Sequence, residues 1–209
     1  DPFRGSGNLD VDFRRRDMAA GGQAAPLAPA FHAAFFADCE QDQAVVNIGG
    51  IANITVLSTQ PDKSMIGPII GFDTGPGNTL LDAWASQHRL TAMDEGGQWA
   101  ASGELQNDLL DLLLSDDYFH YPAPKSTGRE YFHLDWLHHY LNLWGQQKPA
   151  QDIQATLVAL TATSITQAVQ TYAEKTQRLL ICGGGVHNHV LMQSLQNQLA
   201  PRAVLSTTE

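Results

Sequence analysis

A chain of 209 residues, 43% hydrophobic and 16% charged, is globular in composition, and at that length roughly 70% of the unfolded surface can be buried, enough for one large domain or two small ones. The formal net charge of -10 excludes a general nucleic-acid binder, which needs clustered Lys and Arg; the one basic run, Arg14-Arg15-Arg16, is short and flanked by Asp12 and Asp17. No apolar run approaches the ~18 residues of a membrane span, no signal peptide is read, and Cys39 and Cys182 form no CxxC, so the expectation is a cytoplasmic protein without membrane segment, zinc clamp or redox pair.

Residues 1–25 are glycine-rich and charged, with no period. Leu27, Ala30, Phe31, Ala34 and Phe35 then predict one apolar helical face within 26–38. Two β-branched runs at 45–48 and 54–57 flank Gly49-Gly50 and predict a hairpin with a glycine turn or bulge. A turn at 60–63 and a third strand at 66–72 complete a meander over 44–73. Helices are expected at 78–88, 104–114 and 135–144, with a loop over 118–129 that holds two prolines and Ser126-Thr127-Gly128. Ile153, Leu157, Leu160, Ile165, Ala168 and Tyr172 recur at helical spacing and predict the clearest helix, with Asp152 as its N-cap. A strand at 178–182, three glycines, a helix at 188–199 and a strand at 203–206 close the chain. Meander, helices, then strand–loop–helix–strand is a mixed α/β order. It is compatible with the ribonuclease-H-like half of an actin-type ATPase, among other α/β folds.

Four segments could carry chemistry. Asp17 stands shortly before Gly21-Gly22 and a helix, where glycines admit a ligand and a carboxylate can take a proton; pairing of Asp17 with a neighbouring arginine is the alternative. The Gly49-Gly50 turn, with Asn53 beyond it, could offer backbone N–H groups to a phosphate, or be an ordinary hairpin. Asp73-Thr74-Gly75-Pro76-Gly77-Asn78 joins a strand to a helix, so anion binding at the helix start, with Asp73 near a metal, competes with a plain tight connection. Asp-Thr-Gly is also the aspartic-protease triplet, but that chemistry needs two carboxylates and a β-rich body. Gly183-Gly184-Gly185 follows a buried strand and could lie against a flat or phosphorylated ligand. It is no GxGxxG fingerprint, and the chain holds no P-loop and no HExxH; His187 and His189 read as solvent-facing.

Together these segments resemble the anhydro-N-acetylmuramic acid kinase family. The resemblance runs from about Asp12 to Glu209 and rests on DFR-x-x-D-x-A-x-GG with APL-x-P at 12–29, NIGGIANIT at 47–55, GFDTGPGN at 71–78, D-x-x-G-x-WAASG at 94–103, PKSTGRE-x-F at 124–132 and CGGG-x-x-N at 182–188. It departs at Ala24, where the family has glycine. A GTSLDG-type first phosphate loop is absent from the 209 residues, and the family continues beyond Glu209, so a fragment inactive by itself is expected.

The resemblance implies an actin-like ATPase lobe with a helical insert at about 89–150, residues 44–209, preceded by a cleft segment and catalytic helix over 1–43. It implies ATP and Mg2+ in the cleft and 1,6-anhydro-N-acetylmuramic acid as substrate. Water opens the anhydro bond while O6 receives the γ-phosphoryl group, giving N-acetylmuramic acid 6-phosphate for cell-wall recycling. By the same resemblance Asp17 is the catalytic base, Arg14, Gly21 and Gly22 face the sugar, and Asp73 is close to the metal. Gly49, Gly50, Asn53, Gly75, Gly77, Gly183, Gly184, Gly185 and Asn188 are the implied nucleotide positions. A homodimer is implied as well. A non-catalytic nucleotide- or sugar-binding module of the same fold is the other reading, and retention of Asp17 favours the enzyme.

Overall fold

Five strands form one sheet in the order β3-β2-β1-β4-β5. They are β1 (Gln43–Ile48), β2 (Ile51–Thr59), β3 (Ile66–Pro76), β4 (Arg178–Cys182) and β5 (Val204–Thr207). The structure is a computed structural model that describes residues 42–59, 66–176, 178–201 and 204–207. The expected meander is present: β1 and β2 pair antiparallel, as do β2 and β3, and the turn between the first two is Gly49-Gly50. β4 then lies parallel to β1 on its other side, and β5 parallel to β4. Parallel neighbours require crossovers, and helices supply them. The turn expected at 60–63 and the helix expected at 26–38 lie outside the described residues.

Between β3 and β4 run α1 (Thr79–Arg89), a 3-10 turn at Glu95–Gly97, α2 (Gln98–Ala101), α3 (Asn107–Leu114), α4 (Asp117–His120), α5 (Leu134–Trp144) and α6 (Ala150–Tyr172); a 3-10 turn at Gly184–His187 and α7 (His189–Leu199) join β4 to β5. Strand alternation sorts the sheet residues by face. Val46, Ile48, Ile54, Phe72, Leu179 and Ile181 meet Leu157, Leu160, Ile165, Leu191 and Leu195 from the helices in one core. Val45, Leu57 and Leu180 form a separate cluster on the other face, against which Cys182 packs half-buried.

Three local expectations change. The helix expected from 104 starts only at Asn107, because the Glu104 backbone lies outside any element and that of Gln106 is extended. Their N–H groups donate to Asp152 Oδ1 at 3.0 Å and Thr156 Oγ1 at 3.1 Å, both on α6. Asp152 is therefore not an N-cap: α6 begins at Ala150 after Pro149, and Asp152 lies inside its first turn, reaching sideways. The stretch read as loop over 118–129 opens with the short α4, capped by Asp116.

Candidate functional site

Cross-strand register assembles a polar row at the carboxyl ends of β1 and β4. Asn47 stands opposite Asn53, Asn53 opposite Asp73, and Cys182 beside Asn47. Alternation puts all four on the face away from the described helices. Cys182 Sγ donates to Asn47 Oδ1 at 3.8 Å, and the buried Asn53 Oδ1 has no hydrogen-bond partner among the described residues.

Asp73 is only 7% exposed. Its Oδ2 accepts from Ser126 Oγ at 3.1 Å and from the Thr127 N–H at 3.0 Å. Its N–H donates to Lys125 O at 3.0 Å, and its carbonyl accepts from Tyr118 Oη at 2.7 Å. The segment that carries PKSTG thus wraps around the β3 edge and fixes this carboxylate. Lys125 donates to the carbonyls of Tyr118 (2.8 Å) and Phe119 (3.3 Å) with its Nζ over the Tyr118 ring. Burial lowers the Lys125 pKa and, with the Asp73 charge close by, raises that of Tyr118.

The carbonyls of the glycine turn have a structural job. Gly49 O accepts from the Asn78 N–H at 2.8 Å, and Gly50 O accepts from Gly77 (2.9 Å) and Thr79 (3.0 Å). The N–H groups of Gly77, Asn78 and Thr79, leading into α1, are therefore spent on the hairpin carbonyls. Gly77 has no room for a Cβ against Gly49, and at Gly75 a Cβ would come within 2.8 Å of the Phe119 ring. Above Gly50 lies the Arg129 guanidinium, with Nε 2.6 Å from where a Cβ would be. Arg129 belongs to the PKSTGRE segment, but nothing in the sequence placed it on this hairpin.

The three glycines after β4 divide. Gly183 has φ +85° and no space for a side chain beside Asn47 and the Ile48 carbonyl, and Gly185 packs directly on the Ile48 side chain. Gly184 alone is open, with Asn78 Nδ2 its nearest neighbour at 3.6 Å from a built Cβ. It borders a cavity of about 740 Å³ lined by Asn78, Leu81 and Asp82 of α1, by Met93–Gln98 apart from Gly97, and by His187–His189. Asn188 lines the cavity while its Oδ1 caps α7 through the Leu191 N–H at 3.0 Å. Asp94 likewise caps α2, accepting from the Trp99 and Ala100 N–H groups at 2.8 Å each. Asp82 is half-buried, and desolvation raises its pKa against a smaller opposing pull from Arg129. Among the described residues no Lys or Arg lines the cavity. Asp82 and the 93–98 wall were missed as site residues, although the D-x-x-G-x-WAASG run marks part of that wall.

Among the described residues no three His, Cys, Asp or Glu side chains gather where a metal could be held. His187 and His189 are exposed at the cavity rim. Asp17, Arg14, Gly21 and Gly22 lie outside the described residues.

An antiparallel meander with two further parallel strands, and glycine loops gathered at its carboxyl edge, is the arrangement of an actin-like, ribonuclease-H-like fold. Similarity to the solved xylulose kinase of Rhodospirillum rubrum supports that fold: TM-score 0.52 at 16% identity, covering 86% of this chain and 37% of that one. The family model described as anhydro-N-acetylmuramic acid kinase matches residues 8–209, and the chain belongs to that family. Curated relatives carrying that name include those of Cupriavidus metallidurans (52% identical, 96% of this chain) and Coxiella burnetii (51%, 95%). The chain spans about half the length of each, 52% in both cases.

Proposed function

We propose that this chain is the part of an ATP-dependent 1,6-anhydro-N-acetylmuramic acid kinase that holds the nucleotide and activates the water. The observation that carries the reading is the open face of Gly184 on a cavity of about 740 Å³, which adjoins the glycine hairpin through Asn78. The nucleoside lies in the cavity and the phosphates run past Asn78 toward Gly50, Arg129 and Asp73. Arg129 supplies positive charge there, and Asn53 keeps an acceptor for a water or substrate group. Gly75, Gly77, Gly183 and Gly185 act indirectly, by letting the backbones that build the site approach one another.

Mg2+ takes oxygen ligands and keeps several waters when it accompanies nucleotide phosphates. The Asp73 carboxylate suits such a shell, as a ligand or through water, and the bound ion would neutralise phosphate charge. The chemistry left to the chain is positioning and proton transfer. Asp17 takes a proton from water as the water oxygen bonds to the anomeric carbon. The C1–O6 bond breaks and leaves its electron pair on O6, O6 bonds to the γ-phosphorus, and the bond from that phosphorus to the bridging oxygen breaks, so that ADP leaves with its pair. Arg14, Gly21 and Gly22 face the sugar. The remaining readings follow the family: a cleft segment over 1–43 ahead of the lobe, a homodimer, and cytoplasmic work in cell-wall recycling.

The test is Asp17→Asn in a protein that completes the active site. We expect kcat to fall ~10²–10⁴-fold, the usual cost of losing a general base, with ADP affinity within a few-fold. Turnover within a factor of two of wild type removes Asp17 from the base role.

A further inference from the structure

We propose that Asp82 recognises the pentose of the nucleotide, accepting hydrogen bonds from its vicinal hydroxyls and so selecting ribonucleotides over deoxyribonucleotides. The inference rests on the nucleotide reading of the cavity and deepens it. The cavity lining is rich in acceptors and, among the described residues, holds no Lys or Arg, which suits an uncharged, donor-bearing part of a ligand rather than its phosphates.

The carboxylates on the wall are not equivalent. Both oxygens of Asp94 are committed to the start of α2. Asp82 is half-buried, its carboxylate has no hydrogen-bond partner among the described residues, and the Arg129 charge offsets its desolvation only in part. A desolvated carboxylate without donors is costly, and it is acceptor-only, so what answers it must bring N–H or O–H groups. Two hydroxyls on adjacent carbons match two carboxylate oxygens.

Position selects the pentose over the base. Asp82 sits one helical turn beyond Asn78, to whose carbonyl its N–H donates at 2.8 Å. Asn78 in turn docks on Gly49 and neighbours Gly184, at the hairpin where the phosphates belong. The first group of a nucleotide beyond its phosphates is the pentose. Met93, with a 58% exposed apolar side chain on the same cavity, is placed for the base.

The experiment is equilibrium titration of the chain with ADP, 2′-deoxy-ADP and 3′-deoxy-ADP, for wild type, Asp82→Ala and Asp82→Asn. A hydroxyl bonded to a charged partner discriminates against its absence by roughly tenfold to a hundredfold. Wild type is expected to prefer ADP by about that factor, and Asp82→Ala to bind all three alike, at close to the deoxynucleotide affinities of wild type. Asp82→Asn keeps one acceptor and falls between; it carries the test if the alanine variant is misfolded by circular dichroism. Either variant retaining the full wild-type preference overturns the role of Asp82, as does a wild type that binds all three alike. A wild type that binds no adenine nucleotide overturns the nucleotide reading instead.

Discussion

Gly183, Gly184 and Gly185 are identical in sequence and unlike in role, because what a Cβ would meet is decided by β1, far away in the chain. Gly183→Ala must strain a left-handed backbone against Asn47 and Ile48, and Gly185→Val must displace the Ile48 side chain. Each is expected to cost about 1–3 kcal/mol, read as a lower midpoint in urea denaturation. Gly184→Val is expected to leave that midpoint within ~0.5 kcal/mol and to weaken ADP binding at least about tenfold, because a branched side chain then stands in the cavity. Unchanged affinity in a folded Gly184→Val protein would mean that the loop serves only the turn. The sequence marked this run as ligand-facing, but it could not show that one glycine faces the ligand and two face the sheet.

The elements between β3 and β4 hang on two buried carboxylates most of whose partners are not local. Asp116 Oδ1 accepts from the Tyr118 N–H (2.9 Å) and Tyr131 Oη (2.8 Å), and its Oδ2 accepts from Trp136 Nε1 and Tyr140 Oη at 2.9 Å each. Burial by itself would raise the Asp116 pKa, but these four donors outweigh it and hold the carboxyl below the usual carboxylate range. The same contact, after burial, pushes Tyr131 up to about 12. With a depressed native pKa, the contribution of Asp116 is fully present above the ordinary aspartate value near ~4 and is lost as pH falls through the native one. Asp116→Asn turns an acceptor into a donor that faces donors, and is expected to cost about 2–4 kcal/mol at pH 7. Urea denaturation between pH 7 and 3 checks both: wild type should lose stability on acidification, and the variant should lose less. Equal slopes would remove Asp116 from the acid response. Asp152→Ala should cost about 1–3 kcal/mol by leaving the Glu104 N–H without its acceptor and Gln106 Nε2 with only the Glu104 carbonyl. Both aspartates precede apolar runs, which is why Asp152 read as a cap. Their real partners lie up to 48 residues away, beyond any local pattern.

At the scale of the whole molecule, the order and type of the main elements were legible because period-2 and period-3.6 patterns are local. The three strands of the meander, α1, α6 and the β4–glycine–α7–β5 unit stand close to where the pattern puts them. The cavity was not legible, since its walls come from α1, the 93–98 segment and the loop after β4, and only the fold brings them together. Nor could the sequence reveal that the hairpin carbonyls cap α1, because that contact joins two glycine runs each of which alone suggests a phosphate. The central claim concerns the reaction, and product mass tests it most directly. The chain, completed with the parts of the Cupriavidus metallidurans relative that it does not cover, is incubated with ATP and 1,6-anhydro-N-acetylmuramic acid, and the sugar product is weighed by mass spectrometry. The account predicts a product heavier than the substrate by the elements of both HPO3 and H2O, with one ADP formed per product. A phosphorylated sugar lacking the added water, or no phosphorylated sugar from a folded chimera that binds ADP, would contradict it.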